Sequence, residues 1–220
     1  MGRTIRVTGK GKIALKPDMI LLNLTLSGTD RDYEQAMTVS ATETNTLKES
    51  LAALGFAKSD VKTRSFGIEP QYESYHDEQN NWKQRFVGYR FEHRLKLEMD
   101  ADNAMLGKVL SAIAAAKLQP ELDIVHTVRD TEAAKNRLLG NAVADATEKA
   151  KVLAQAAGLI LGNIITIDYT FGEIALTTQR VSPGTMKCMA AVADSAEVAM
   201  DIDPDEIEVT DTVTIEWNII

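Results

Sequence analysis

The sequence predicts an α+β fold: a mixed, largely antiparallel sheet with about three helices packed on one face and a long projecting β-hairpin. Two observations carry this prediction. Many short segments alternate apolar and polar residues, which is the pattern of half-buried strands. Three longer segments have apolar residues at helical spacing instead, and they separate the strands singly or in pairs. Such an order mixes hairpins with crossovers and argues against a doubly wound parallel sheet.

Strands are predicted at residues 5–13, 20–26, 66–72, 87–99, 122–129, 163–171 and 207–219. The clearest is the run 87–99, where Val87, Leu95 and Leu97 are predicted to face a dry core. The alternating residues Arg94 and Lys96 are predicted to face water, so this strand is one-sided. In the last strand Asp211 falls on the apolar side, and we expect a β-bulge or a local exit from the sheet there.

Three helices are predicted between these strands. The first begins at Thr29, which with Asp32 resembles a capping box, and stops at Gly55, a residue suited to a left-handed turn. The second spans about residues 102–117, and the third about residues 130–158. Most side chains on the inward face of the third helix are small, so we expect this helix to lie close to a sheet or to another helix. Its predicted inward residues are Ala134, Leu138, Ala142, Ala146, Leu153 and Ala157.

Residues 64–96 are predicted to form a long hairpin whose polar tip, residues 76–81, projects beyond the core. Its aromatic residues superficially resemble a base-stacking sheet, but acidic residues dilute the basic side. Aromatic side chains on a projecting arm more often make protein contacts. Between residues 172 and 204 the periodicity lapses, and methionines there suit adaptable contacts. We predict assembly contacts at Tyr72, Tyr75, Trp82, Phe86, Met186 and Met189.

Composition excludes some classes of function. The chain has 220 residues, and its 24 Lys+Arg against 32 Asp+Glu give a formal net charge of −8. A sequence-independent grip on phosphates needs a basic surface, so we exclude a general nucleic-acid or anionic-membrane binder. No apolar run approaches the roughly 18 to 20 residues that cross a bilayer, so no transmembrane segment is predicted. We expect one domain over residues 1–220, with a division into 1–100 and 101–220 as the alternative.

The cellular compartment stays open. Cys188 is the only cysteine, which excludes an intrachain disulfide and fits a reducing or an oxidising compartment. The chain as written enters strand-like alternation directly and shows no secretory leader. The sequence therefore predicts a cytoplasmic protein as written, and a periplasmic or otherwise exported one if a leader has been removed.

No motif indicates an enzyme, a metal site or a cofactor. Gly9 and Gly11 lie inside a strand pattern with no helix following, so they indicate a bulge or close packing and not a phosphate loop. His76, His93 and His126 lack the spacing of zinc ligands. Since His93 and His126 fall on apolar strand faces, a core histidine with one satisfied hydrogen bond is the expected role of each.

The whole chain resembles the SIMPL family, a group that includes bacterial periplasmic immunogenic proteins and a mammalian kinase-associated signalling protein. Each motif is weak alone, but six of them occur in the family's order. They are Ile5-Arg6-Val7-Thr8-Gly9-Lys10-Gly11 with Lys16-Pro17-Asp18; Leu54-Gly55-Phe56 with Asp60-Val61-Lys62-Thr63; Val87-Gly88-Tyr89-Arg90; Asn141-Ala142-Val143-Ala144-Asp145-Ala146 with Lys149-Ala150; Ala156-Ala157-Gly158 with Leu161-Gly162; and Ile207-Glu208-Val209 with Val213-Thr214-Ile215.

The resemblance implies an α+β fold, no known catalytic residues or cofactor, homo-oligomeric assembly in some members, and an ill-defined tie to stress or signalling. The segment 177–203 is longer than the family's connection at that place. Our first hypothesis is therefore a non-enzymatic homo-oligomeric assembly or scaffold protein, related to stress or to the cell envelope. A second hypothesis is a small-ligand-binding protein or enzyme with a pocket between the sheet and the third helix, near His93 or His126. A third is a peptide adaptor that uses an exposed strand edge.

Overall fold

The structure is a computed structural model that describes residues 3–169, 175–177 and 204–220. Met186, Met189 and Cys188 lie outside the described residues, as does most of the irregular segment. The described elements are β1 (Thr4–Leu15), β2 (Met19–Asp30), α1 (Tyr33–Ala52), β3 (Lys62–His76), β4 (Trp82–Asp100), α2 (Asn103–Ala115), β5 (Glu121–Thr127), α3 (Thr131–Ala156), β6 (Leu161–Asp168) and β7 (Ile207–Ile219). The α+β prediction and the predicted order of strands and helices are confirmed.

The strands are divided between two sheets, one with the order β1-β7-β6 and one with the order β3-β4-β2-β5. Alternation shows which face of a strand is dry but not which strand is its neighbour, so the sequence did not reveal this division. The described chain also separates into two compact units. The first unit holds residues 3–18, 127–169, 175–177 and 204–220, and the second holds residues 19–126. No described helix is long and apolar enough to cross a bilayer.

In the first unit, α3 packs against β1 and β7. Its buried residues are Ala134, Leu138, Ala142, Ala146, Ala150 and Ala154, one at every fourth position. The prediction that Leu153 and Ala157 point inward is wrong. The buried positions repeat every four residues and therefore fall on Ala150 and Ala154, whereas Leu153 is half exposed. The alanines and the glycines of β1 allow the close approach: a Cβ on Gly9 would clash with the backbone oxygen of Ala142, and one on Gly11 with that of Leu138.

The predicted bulge at Asp211 is wrong. The pairing of β1 with β7 runs without a register shift, and Asp211 lies opposite Gly11. Because Gly11 has no side chain, there is room for the Asp211 carboxylate on the apolar side of β7. There the carboxylate accepts a hydrogen bond of 2.9 Å from the Tyr169 hydroxyl.

The second unit has the order β2-α1-β3-β4-α2-β5 with the spatial order β3-β4-β2-β5, which is a ferredoxin-like arrangement. Its first helix begins at Tyr33 and is capped by Asp32, whose carboxylate accepts from the backbone N–H groups of Glu34 and Gln35. The helix start predicted at Thr29 is wrong because Thr29 still pairs with β4.

The one-sided character predicted for the fourth strand is confirmed. Leu95 and Leu97 are fully buried. Arg94 and Lys96 keep their charged ends on the solvent side, where they form ion pairs with Glu92 and Glu98. The core of this unit consists of the dry faces of β2 and β4 under α1 and α2, and its fully buried aliphatic residues are Ile20, Leu22, Leu24, Leu47, Leu51, Leu95, Leu97, Leu106 and Val109.

Candidate interaction surface

The hairpin of β3 and β4 extends beyond the rest of its sheet. Strand β2 ends at Asp30, which pairs with Tyr89, so residues 71–88 form a two-stranded ribbon that we call the arm. Its strands run for about 17 Å before the turn, at about 3.3 Å per residue. The turn is closed by Asp77, whose carboxylate accepts from the N–H groups of Gln79 and Asn81. The hydrogen bond from Asn81 is the main reason why the pKa of Asp77 is lowered.

A β-bulge at the base of the arm decides which side chains share a face. The register shifts between Gln71 and Tyr72, which leaves Val87 as an extra residue on β4. Gly88 has a φ of 150° there, and a Cβ on it would clash with the carbonyl oxygen of Asp30. The extra residue places Phe86 on the face of Tyr89, so the prediction that Val87 occupies this face is wrong.

The face that continues from the core is aromatic. Tyr33 of α1 packs on Tyr89 at a ring-centroid distance of 5.5 Å, Tyr89 packs on Phe86 at 5.1 Å, and Phe86 packs on Tyr72 at 5.8 Å. All three contacts are edge-to-face, the geometry that aromatic pairs prefer. Trp82 is on the same side of the ribbon near the tip and is 72% exposed. We call Tyr33, Tyr72, Trp82, Phe86 and Tyr89 the aromatic face.

The opposite face of the arm is charged. Arg85 forms an ion pair of 2.8 Å with Glu73, and Lys83 forms one of 2.9 Å with Asp77. The Arg85 guanidinium also lies 5.8 Å from the centre of the Tyr75 ring. Of the four described residues predicted as assembly contacts, the structure therefore brings three together on the aromatic face and places Tyr75 on the other side.

A second exposed apolar surface lies on β6, an edge strand of the first unit. Ile164, Ile165 and Ile167 are 49%, 55% and 53% exposed, and we call these three residues the isoleucine edge. Sequence reasoning missed it, as it missed Tyr33 and Tyr89. The signal was present in the consecutive residues Ile164 and Ile165, because a half-buried strand does not place two neighbouring apolar residues on one face.

His93 has the role of a core histidine. Its Nδ1 is 3.0 Å from the hydroxyl of Thr44, and its Nε2 is 2.9 Å from the hydroxyl of Thr63. The Thr44 hydroxyl donates to the carbonyl of Ser40, so it accepts from Nδ1–H. The Nε2 atom then accepts from Thr63, and the ring is neutral. Burial, with a smaller effect of the Lys48 charge, lowers the pKa of His93.

His126, on β5, is more deeply buried than the half-buried His93. Its pKa is lowered by burial, and its Nε2 has no hydrogen-bond partner among the described residues. The pocket predicted near His93 or His126 stays a prediction, and the described packing of α3 is on β1 and β7 of the first unit. Within the second unit, β2 separates the two strands that carry them.

The outer surface of β3 and β4 carries an open groove of about 420 Å³. Its polar lining consists of Ser65, Glu69, Gln71, Arg90, Glu92 and Arg94. Each of these residues is exposed or half-buried, so the groove is open to solvent. Among the described residues, moreover, no group of three His, Cys, Asp or Glu side chains is arranged to hold a metal ion.

The chain is similar to known proteins in its sequence. Residues 5–217 match the sequence model of the SIMPL family, described as "Protein of unknown function (DUF541)". The 26 kDa periplasmic immunogenic proteins of Brucella melitensis biotype 1 and of Brucella abortus strain S19 are each 30% identical over 164 residues, which cover 74% of this chain. The alignment spans 65% of those relatives, just under two thirds of their length. The structure of CutA from Synechococcus elongatus matches 60% of this chain and 95% of its own, at 11% identity and a TM-score of 0.21.

Proposed function

The chain belongs to the SIMPL family, whose function is unknown, and we propose that it is a non-enzymatic protein that assembles with further copies of itself through the aromatic face of its arm. The observation that carries this proposal is the continuous run of half-exposed aromatic rings on one side of a ribbon whose other side is charged and internally paired. A protein surface rarely exposes adjoining aromatic residues unless a partner covers them. A two-stranded ribbon is also marginally stable in water unless it packs against something.

The energetics favour assembly through more than one contact. Tyr72, Trp82 and Phe86 are 56%, 72% and 46% exposed. At about 150 to 250 Å² for each whole aromatic side chain, they offer roughly 350 Å² for burial. At about 25 cal/mol per Å² this contributes at most about 9 kcal/mol. That figure is comparable to the roughly 4 to 15 kcal/mol that association costs. A single arm contact is therefore weak, and a scaffold in which each copy makes two such contacts is favoured.

We propose a periplasmic location for this scaffold, in keeping with the printed names of the two Brucella relatives. The same proposal includes a role in the cell envelope or in stress, which the family resemblance implies. Cell fractionation of the organism that encodes the chain tests it. Recovery of the native protein in the cytoplasmic fraction, beside a cytoplasmic marker, would contradict it.

The assembly proposal is tested by measuring mass in solution. We expect the wild-type chain to form oligomers at tens of micromolar in sedimentation or light scattering, and we expect the double variant Trp82→Ser/Phe86→Ser to be monomeric. The matched control is Tyr75→Ser, which removes an aromatic ring from the charged face of the same ribbon. A wild-type monomer at these concentrations, or equal masses for the double variant and the wild type, would overturn the proposal.

A further inference from the structure

We propose that the surface which receives the arm is the isoleucine edge on β6 of a neighbouring copy, so that each copy gives one arm and receives one. This inference rests on the proposed function, because it names the receiving surface for the same contact. The arm belongs to the second unit and the isoleucine edge to the first. The two contact surfaces are therefore different parts of the chain, and the contact between copies joins unlike surfaces.

The two edge strands of the three-stranded sheet differ in how far they are covered. Strand β1 is one edge, and side chains of α3 cover it: the Lys10 N–H donates to Asp145, and the Lys12 carbonyl accepts from Asn141. Strand β6 is the other edge, and its residues 163–168 are all exposed. Only one edge of this sheet therefore remains open among the described residues, and it is the apolar one.

The shape of β6 favours contact through side chains over the addition of a strand. Relative to β7, β6 has one extra residue between Leu161 and Ile164 and another between Ile164 and Thr166. Bulges of this kind interrupt the row of free N–H and C=O groups that a new strand would need. Pairing of β6 with a second β6 is disfavoured for the same reason, whereas the exposed isoleucine side chains remain available to an aromatic surface.

The charges on both surfaces are compatible with this contact. Residues 161–167 carry no charge, and Asp168 at the end of β6 is paired with Arg6 at 2.8 Å. Four of the five charged groups of the arm pair with one another away from the aromatic face, and the fifth, Glu78, lies in the turn. Packing the aromatic face on the isoleucine edge therefore buries no unpaired charge, which would be costly.

A contact between unlike surfaces closes in a dimer when the two copies exchange arms reciprocally. It otherwise closes into a ring when the rotation between copies allows, or continues as a filament. Three half-exposed isoleucines add an area similar to that of the aromatic residues, so the contact stays at the small end of specific interfaces. A reciprocal dimer or a closed ring supplies the second contact for each copy that such a weak interface needs.

Thiol crosslinking between two single variants tests the pairing directly. Both carry Cys188→Ser, so the only thiol is Gln84→Cys on the aromatic face or Ile165→Cys on the isoleucine edge. Gln84 lies between Phe86 and Trp82 on the arm, and its replacement leaves both aromatic rings in place. With one variant enlarged by a tag and a short bismaleimide as the crosslinker, we expect a mixed dimer from the mixture and at least tenfold less product from either variant alone. The matched control, Tyr75→Cys with Ile165→Cys, is expected to give at least tenfold less mixed dimer.

Three outcomes overturn this inference: crosslinking of Ile165→Cys with itself, which indicates β6 self-pairing; crosslinking of Gln84→Cys with itself, which indicates arm-to-arm contact; or no mixed dimer. Ile165→Lys separates it from the proposed function. We expect this variant, shown by circular dichroism to be folded, to dissociate at least tenfold more readily than the wild type. If it keeps the wild-type mass while Trp82→Ser/Phe86→Ser is monomeric, the arm assembles the protein and β6 is not its receiver. If the wild type itself is monomeric, both proposals fail.

Discussion

The backbone N–H of Lys10 donates a hydrogen bond of 2.7 Å to a carboxylate oxygen of Asp145. One turn earlier in α3, the side-chain amide of Asn141 donates to the carbonyl of Lys12 at 3.1 Å. Both backbone groups belong to β1, an edge strand, so α3 supplies the hydrogen-bond partners that a further strand would otherwise provide. Ala142 lies between these two polar residues and Ala146 follows them, and both lie against the backbone of Gly9. The same stretch of α3 therefore provides close packing and hydrogen-bond partners for β1.

Asp145→Ala is expected to lower the melting temperature, because the Lys10 N–H and the Lys149 ammonium each lose a partner. Asp145→Asn is expected to lower it less, since an amide oxygen still accepts from Lys10. Thermal unfolding followed by circular dichroism checks both, and Glu148→Gln, which loses a looser surface ion pair of 3.9 Å with Lys151, is the control. Equal effects of Asp145→Ala and Glu148→Gln would contradict the role of Asp145 at the edge.

The carboxylate of Asp145 is also expected to make the stability of the protein depend on pH. The ammonium of Lys149 foremost, and then the N–H of Lys10, lower the pKa of Asp145. The unfolded chain binds this proton first as the pH falls below about 4, so the stabilisation is present above that pH and is lost as the pH falls through the lower pKa of the folded state. We therefore expect the difference in melting temperature between the wild type and Asp145→Asn to shrink on acidification below about pH 4. A difference that is constant with pH would count against the assignment.

Gly9→Ala is expected to destabilise the protein by about 3 kcal/mol, because the new methyl group would overlap the backbone of α3 rather than a movable side chain. Gly67→Ala, in β3, has nothing within 4 Å of the new Cβ and is expected to change the stability by less than about 0.5 kcal/mol. Urea unfolding at equilibrium measures both. A small effect of Gly9→Ala would show that the helix can move away from β1 at little cost.

Gly140→Ala, in α3, is expected to have the opposite effect on stability. Gly140 lies in the interior of α3, is exposed, and would carry a Cβ with nothing within 4 Å. Alanine is favoured over glycine in a helix interior by about 1 kcal/mol, so we expect a gain in unfolding free energy of that size. Destabilisation by Gly140→Ala in the same urea experiment would mean that this face of α3 is covered in the assembled protein.

His93 predicts a second effect of pH, near neutrality. Burial lowers its pKa, so the unfolded chain takes up a proton near pH 6.5 while the folded chain resists it. The unfolded state then binds more protons, and stability falls as the pH is lowered from 7.5 to 5.5. His126 adds to the same trend. We expect His93→Gln to reduce the slope of unfolding free energy against pH, and His76→Gln at the tip of the arm serves as the control. Parallel slopes for the wild type and His93→Gln would contradict the neutral, doubly hydrogen-bonded ring.

The sequence predicted the parts of this fold that depend on local periodicity. The one-sided strand around Leu95 and the thin alanine face of α3 both follow from the spacing of apolar residues alone. The division into two sheets did not follow, since periodicity does not identify the neighbouring strand. The start of α1 was misplaced because Thr29 carries a capping signal while its backbone still pairs with β4, and a long-range pairing overrides a local signal.

The candidate surface was predictable only in part, for a related reason. The projecting hairpin and its aromatic residues follow from composition and turn signals. One extra residue, Val87, changes which side chains share a face, and such a bulge is defined only relative to the partner strand. The sequence therefore placed Tyr75 with Tyr72 and Phe86, and left Tyr89 in the core. The isoleucine edge was missed because strand alternation was assumed where two adjacent isoleucines already broke it.

The two tryptophans of the chain allow a direct test of whether the arm is covered. Trp82 is 72% exposed at the end of the arm, whereas Trp217 is 2% exposed in the core of the first unit. In dilute solution, where assembly is absent, we expect acrylamide to quench about the half of the emission that comes from Trp82. If a neighbouring copy covers the arm as proposed, we expect the emission of Trp82 to shift to shorter wavelength and its quenchable part to decrease at concentrations where the protein assembles. The control is Trp82→Phe, which keeps an aromatic ring on the arm and leaves only Trp217, so its quenching should not depend on concentration. If Trp82 stays fully quenchable while the measured mass is that of an oligomer, the copies associate through another surface.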